Sequence, residues 1–274
     1  MPELPEVETI RNSLLPLIQG QEIVESEVRL EKLLQNLSRR EFSRLIRNRV
    51  VRDIERRGKY LLFRLSGEYT LVIHLRMTGQ LRYTDSGTPE PRHTHIVLKL
   101  LHGAELRYTD TRQFGYWFLA KDTEITLTAR MAHLGIEPLS VEFTVSELAA
   151  RLAGKRGTIK SLLLNQRVIA GIGNIYADEA LFLAGLRPDR VAKELARDEI
   201  SKLHSSIVYV LRQGVAMRGT SVSDYLDGLG QQGSFQHQLK AYGRTGQACL
   251  TCGTTMVRTV LAGRGTHFCP HCQH

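Results

Sequence analysis

The chain has 274 residues, 42% of them hydrophobic, enough to fill a sizeable core and to build two domains with a small appendage. Lys and Arg number 37 against 28 Asp and Glu, and the resulting net charge of +9 draws polyanions, which makes nucleic acid the leading partner. No apolar run reaches the length of a membrane span. The start carries Glu3, Glu6 and Glu8 where a secretory signal needs positive charge, so the expected location is cytoplasmic.

Pro5 suits a first helical turn, Glu6 and Glu8 favour a helix N-terminus, and Val7, Ile10 and Leu14 share a face before Gly20; this predicts a helix starting near residue 5. Ser38 to Glu41 has the form of a capping box leading into Phe42, Leu45 and Ile46, a second short helix. Segments 22–30, 49–56, 59–65, 69–75, 93–101, 104–109 and 114–120 are rich in Val, Ile, Leu, Tyr and Phe and separated by turns such as Ser66-Gly67-Glu68, the spacing of a β-sandwich. From about residue 122 the period turns helical, and Ile200, Leu203, Ile207, Val210 and Leu211 form the clearest amphipathic stripe. Gly219, Gly228, Gly230 and Gly233 then break the pattern and predict a long mobile loop over 219–238. The expected fold class is α+β and multidomain: a β-sandwich with flanking helices over 1–122, a helical region over 123–218, a loop over 219–240 and a cysteine-bearing tail over 241–274.

All four cysteines lie in that tail, which excludes a disulfide framework spread through the chain. Cys249-Leu-Thr-Cys252 and Cys269-Pro-His-Cys272, with sixteen residues between them, have the spacing of a four-cysteine zinc ribbon holding one structural Zn2+. Four thiolates leave no open coordination position, so such a zinc stabilises structure and does not activate water. Two local disulfides or a redox pair are the alternatives, and His267, His271 and His274 are competing ligands. Ala262-Gly263-Arg264-Gly265-Thr266 reads as a hairpin tip whose guanidinium is either a solvated turn residue or a phosphate ligand.

Four motifs carry a resemblance along essentially the whole chain: Pro2-Glu-Leu-Pro-Glu-Val-Glu-Thr9; Arg57-Gly-Lys-Tyr60 with His74-Leu-Arg-Met77; Gly171-Ile-Gly-Asn-Ile-Tyr176; and the Ala262-to-Cys272 segment. In this order they resemble the formamidopyrimidine-DNA glycosylases. The resemblance implies a helix-two-turn-helix domain around 160–185 and a zinc finger beside the sandwich. It also implies a monomer acting on double-stranded DNA that carries oxidised purines, 8-oxoguanine and formamidopyrimidines, with the damaged nucleotide turned out of the helix because a stacked base shields its sugar.

An α-amino group, with a pKa near 8, is free base hundreds of times more often at pH 7 than an ordinary lysine near 10.4. Once Met1 is removed, the secondary amine of Pro2 is therefore the expected nucleophile; with Met1 retained its nitrogen is an unreactive amide. The resemblance gives Glu3 the proton that opens the sugar ring, Lys59 a phosphate contact and a share in β-elimination, and Arg264 a phosphate contact and a share in δ-elimination. Read alone, Glu3 is ordinary decoration of a helix N-terminus, and Lys59 a solvated strand-end cation.

For DNA binding, the resemblance places Asn174 and neighbouring helix N-terminal amides on phosphate, although Asn174 alone reads as an N-cap. His74, His93, Arg156 and Tyr242 are further expected contacts, each with a bland structural reading beside it. Met77, Arg112 and Phe114 match the trio that fills the gap left by the everted nucleotide, Phe114 wedging the stack and Arg112 facing the orphaned cytosine. The 219–240 loop is the expected lesion-recognition loop; its Ser223-Asp224 pair matches no motif securely. An endonuclease VIII-like enzyme for oxidised pyrimidines is the near alternative, but that branch typically starts Pro-Glu-Gly-Pro-Glu, and Leu4 stands here. A non-enzymatic zinc-ribbon binder leaves Pro2-Glu3 unexplained, and a hydrolytic nuclease lacks clustered carboxylates for divalent ions.

Overall fold

Helix α1 (Leu4–Ile18) opens the chain, with Pro5 in its first turn and the Glu3 N–H donating to Glu6 Oε2 at 2.8 Å. Leu4, Val7, Ile10, Leu14 and Ile18 recur at helical spacing and are at most 1% exposed, so one face of the helix is given to the core. The computed structural model describes residues 1–125, 131–222 and 225–274. It divides into two units, Met1–Ala132 with Met217–Ser234, and His133–Ala216 with Phe235–His274.

In the first unit, α1 is followed by β1 (Glu22–Val28), α2 (Arg39–Ile46), β2 (Arg49–Arg57), β3 (Tyr60–Leu65), β4 (Tyr69–His74), β5 (Gly79–Asp85), β6 (Thr94–Leu100), β7 (Ala104–Asp110), β8 (Tyr116–Lys121) and the one-turn α3 (Asp122–Ile125). The capping box forms as expected: Ser38 Oγ accepts the Glu41 N–H, and Glu41 takes the Ser38 N–H. The strands pair antiparallel in the order β5-β7-β6-β1-β2-β3-β4-β8. Only two residue pairs, Glu22↔Val50 and Ile23↔Arg49, join β1 to β2. At that narrow seam the sheet folds over, and Tyr108 of β7 meets Trp117 of β8 edge to face at 5.6 Å. The two layers of the expected sandwich are thus halves of one continuous sheet.

Strand β5 is absent from the sequence reading. Gln80, Arg82 and Thr84 dilute its apolar content, and only Gly79 and Leu81 are buried, as suits an edge strand paired on one side to β7 alone. Its other side is met by residues 217–234: the Tyr83 N–H donates to the Gly228 carbonyl at 2.8 Å, and the Gly228 N–H to Ser13 Oγ of α1 at 3.0 Å. The described part of this segment holds no helix or strand, but the loop read from the sequence over 219–238 ends in a 3-10 turn, Phe235–Gln238; Ser223 and Asp224 lie outside the described residues, as do 126–130 of the helical region. Fully buried Asp227 organises it, accepting the Leu229 and Gln231 N–H groups at 2.9 Å each and pairing with Arg218.

The second unit contains α4 (Val145–Leu152), α5 (Ile159–Leu164), α6 (Asn174–Ala184), α7 (Arg197–Ala216) and the hairpin of β9 (Val257–Leu261) and β10 (Arg264–Phe268). Thr144 and Thr158 cap α4 and α5, and Gly185 ends α6 at φ 71. The expected stripe on α7 is its buried face.

Glycine has a steric task around the Tyr108 hydroxyl. A Cβ on Gly115 would sit 1.7 Å from Tyr108 Oη, and one on Gly79 2.5 Å from the same atom. Gly115→Ala is therefore expected to destabilise the first unit by at least about 2 kcal/mol, read from the midpoint of urea unfolding.

Candidate functional site

Exposed Met1 precedes Pro2, which is buried at the entrance to α1, with Glu3 4% and Glu6 2% exposed beside it. Glu6 works in two directions: Oε2 takes the Glu3 N–H, and Oε1 takes the Thr220 N–H at 2.7 Å. One carboxylate therefore joins the N-terminal end of α1 to the start of the 217–234 segment, and the Tyr225 hydroxyl adds a bond to the Glu6 carbonyl at 3.3 Å.

Lys59 lies in the two-residue turn between β2 and β3, where Arg57 pairs with Tyr60 and Gly58 supplies a φ of +57. This turn is anchored to α1. Arg56 Nε donates to Glu8 Oε2 at 2.7 Å while its Nη1 reaches the Gly58 carbonyl at 3.1 Å, and Glu8 also holds Arg11, whose Nε binds the Ile54 carbonyl. Lys59 itself is 6% exposed, not the solvated strand-end cation of the bland reading.

His74, at the end of β4, stacks on Tyr116 at 5.3 Å and meets the edge of Tyr60 at 4.6 Å. Its Nδ1 accepts the Arg76 N–H at 3.0 Å, which leaves the proton of the neutral ring on Nε2.

Met77 and Phe114 are exposed apolar side chains, 38% and 54%, on two neighbouring turns, and the Arg112 guanidinium lies 4.8 Å from the Phe114 ring centre. The turns are linked by a residue the sequence reading missed. Asp110, fully buried at the end of β7, takes Thr78 Oγ1 and the Arg112 N–H on Oδ1, and the Gly115 N–H and Tyr108 hydroxyl on Oδ2. Its own N–H donates to the carbonyl of exposed His93.

In the second unit, Asn174 opens α6 and its Nδ2 donates to the Gly265 carbonyl at 2.9 Å, joining the helix start to the strand that begins with exposed Arg264. The hairpin turn is tight: Arg264 pairs with Leu261, and Ala262 and Gly263 have φ of 50 and 70, as a type I′ turn demands. Beneath it lies a second unforeseen network. Lys160 Nζ, fully buried, donates to Asp178 Oδ1 at 2.6 Å, Thr266 Oγ1 at 2.8 Å and the Gly265 carbonyl at 3.1 Å, while Asp178 Oδ2 accepts the His267 N–H at 3.0 Å. Glu179 takes the N–H groups of Lys240, Ala241 and Tyr242 at 2.8–2.9 Å, and the Tyr242 ring meets His267 edge to face. Burial pushes the Glu179 carboxyl above its ordinary range, although those three amides pull it down. Arg156 is exposed ahead of α5.

The four cysteine sulfurs lie within 4.8 Å of one another, with Cys249–Cys272 at 3.9 Å and Cys252–Cys269 at 3.5 Å. These separations are too long for disulfides and match the edges of a tetrahedron, about 3.8 Å for zinc–sulfur bonds near 2.3 Å. The Thr251 and Cys272 N–H groups point at Cys249 and Cys269 Sγ at 3.4 and 3.3 Å, the donor arrangement that favours thiolates. His267 bonds Asp178 and is not in the cluster.

Three family models cover most of the chain: the formamidopyrimidine-DNA glycosylase N-terminal domain over residues 1–117, the formamidopyrimidine-DNA glycosylase H2TH domain over 134–225, and the zinc finger found in FPG and IleRS over 246–274. The chain belongs to the formamidopyrimidine-DNA glycosylase family. It is 50% identical to the formamidopyrimidine-DNA glycosylase of Moorella thermoacetica over 94% of both chains, and 46% identical to that of Carboxydothermus hydrogenoformans over the full length of both. Among solved structures it superposes at a TM-score of 0.93, with 35% identity and complete coverage of both chains, on a mutant Lactococcus lactis FPG bound to DNA containing Fapy-dG. The same Lactococcus protein bound to abasic-site DNA matches at 0.93 over 99% of each chain. The glycosylase fold read from the sequence, a β-sheet domain, an H2TH domain and a four-cysteine finger, is thereby established.

Removing one member of the Lys160–Asp178 pair strands a charge in the interior. Asp178→Ala is expected to lower stability by about 3–5 kcal/mol, measured as a fall in the urea midpoint.

Proposed function

We propose that this glycosylase excises oxidised purines, 8-oxoguanine and formamidopyrimidines, from duplex DNA through a Schiff base on Pro2 and then cleaves the strand by β,δ-elimination. The observation that carries the reading is Pro2-Glu3 at the buried head of α1, tied through Glu8 and Arg56 to the turn that bears Lys59. Removal of Met1 exposes a secondary amine. Its attack on C1′ displaces the damaged base, and Glu3 gives a proton to the ring oxygen as the sugar opens. The resulting iminium is cationic, so it acidifies C2′; loss of that proton expels the 3′ phosphate, and a second elimination expels the 5′ phosphate. Lys59 assists the first proton transfer and Arg264 the second, each beside a phosphate.

Eversion of the nucleotide is the work proposed for Met77, Arg112 and Phe114, whose exposure supports insertion into a base stack. His74, His93, Arg156, Asn174 and Tyr242 are the proposed backbone contacts; Asn174 has a second Nδ2 hydrogen beyond the one on Gly265. The 219–240 loop encloses the everted base, with the helical region 123–218 gripping the duplex. One zinc, held by Cys249, Cys252, Cys269 and Cys272, keeps the Arg264 hairpin rigid and takes no part in proton transfer.

Borohydride trapping on a duplex with a single 8-oxoguanine opposite cytosine tests the nucleophile. Protein processed to Pro2 is expected to become covalently attached, protein retaining Met1 to stay free, and Pro2→Gly to react at a different rate through its primary amine. No adduct on 8-oxoguanine, formamidopyrimidine, oxidised-pyrimidine or abasic DNA overturns the enzyme reading in favour of a zinc-ribbon binder. Elemental analysis is expected to give one zinc per chain, and Cys269→Ala to lose both the metal and most strand cleavage.

A further inference from the structure

We infer that Asp110 is a positioning residue that sets the void-filling turns as one unit, so that lesion opening depends on a side chain that does not itself reach the exposed surface. The inference rests on the glycosylase reading above. An ionised carboxylate offers about four acceptor sites and no donor, and here four donors converge on it: the Thr78 hydroxyl at 2.5 Å, the Arg112 N–H at 3.2 Å, the Gly115 N–H at 2.8 Å and the Tyr108 hydroxyl at 3.2 Å. Through Thr78 it fixes the turn of Met77. Through Arg112 and Gly115 it fixes both ends of the turn that presents Arg112 and Phe114. The Arg112 N–H is shared with Thr78 Oγ1 at 3.1 Å, so the two turns are also bonded to each other.

The surroundings leave this arrangement no slack. Asp110 is 0% exposed, and Tyr108 beside it is 0% exposed with its phenol pushed above the ordinary range by burial and by the Asp110 charge. The Tyr108 hydroxyl is walled in by Gly79 and Gly115, neither of which has room for a methyl group. Arg76 and Gln113, at φ of 55 each, hold left-handed conformations that a non-glycine residue adopts only when its neighbours impose them. His93, at φ 63, accepts the Asp110 N–H, and His95 Nε2 lies 2.9 Å from the Asp110 carbonyl, so a third DNA-facing segment hangs on the same residue.

Asp110→Asn is nearly isosteric but places an amide N–H2 against two of the four donors. It is expected to slow 8-oxoguanine excision from duplex DNA by about tenfold or more, the effect of losing charge-assisted hydrogen bonds. Borohydride trapping on a duplex with a preformed abasic site, where no base has to be everted, is expected to change far less. A 2-aminopurine next to the lesion reports unstacking, and its fluorescence rise is expected to fall in parallel with excision. Thr78→Val, which removes one donor and leaves the carboxylate, is expected to show the same pattern more weakly.

A double-mutant cycle separates positioning from general damage to the fold. Because Asp110 positions Phe114 together with Met77 and Arg112, Asp110→Asn combined with Phe114→Ala is expected to slow lesion opening by clearly less than the product of the two single effects. Additive losses, or an equal loss on 8-oxoguanine and abasic DNA by both Asp110→Asn and Thr78→Val, overturn the inference and leave the glycosylase reading standing. Absence of trapping by the wild-type protein on abasic DNA defeats the glycosylase reading itself.

Discussion

A carboxylate withdrawn from water must have its lost solvation replaced by donors, and a loop outside any helix or sheet carries backbone N–H groups that need acceptors. In this protein the two needs meet repeatedly. Glu6 takes the Glu3 and Thr220 N–H groups, Asp110 those of Arg112 and Gly115, Glu179 those of Lys240 to Tyr242, and Asp227 those of Leu229 and Gln231. Each acid is at most 4% exposed. The contest between burial and donors is most visible at Glu179, where burial wins and raises the carboxyl.

This is why the loops bearing the proposed chemistry are shaped and not merely permitted. A non-glycine residue in the left-handed region is strained, and Arg76, His93, Gln113, Arg218 and Ala262 all adopt it within the proposed DNA-facing segments or at most two residues from them. Buried carboxylates supply the fixed partners that hold such turns. At Ala262-Gly263 the hairpin register, the Lys160–Asp178 network on the strand that follows and the four-cysteine cluster take the task. A rigid presentation suits a protein whose proposed step is to replace a stacked base with its own side chains, because a floppy loop would spend interaction energy on its own ordering.

Local patterns were legible in the sequence, and contacts across long separations were not. Cysteine spacing, the Ser38–Glu41 box, the α1 face and the α7 stripe each depend on residues within a few positions of one another, and each is found in the structure. Strand β5 escaped because an edge strand needs little apolar content. The buried acids and Lys160 escaped for a different reason. Apolar periodicity treats a polar side chain as solvent-facing, and the partners that justify burying these lie far away in sequence, Thr220 for Glu6 and Thr266 for Lys160. Pro2 and Glu3 stand between the two cases: their chemistry is local, but two residues at a chain start carry little weight, and only the resemblance to the glycosylase family drew attention to them.

The bond from Tyr83 to Gly228 gives the 217–234 segment a second duty. An uncovered strand edge is a template on which another copy's edge can add, and β5 lies at the end of the sheet. The segment proposed to choose among damaged bases also shields that edge. Changes that retune its choice of base are therefore constrained by colloidal behaviour: a variant that lifts Gly228 off Tyr83 bares a row of backbone donors and acceptors, and self-association limits how far this loop can drift before catalysis does.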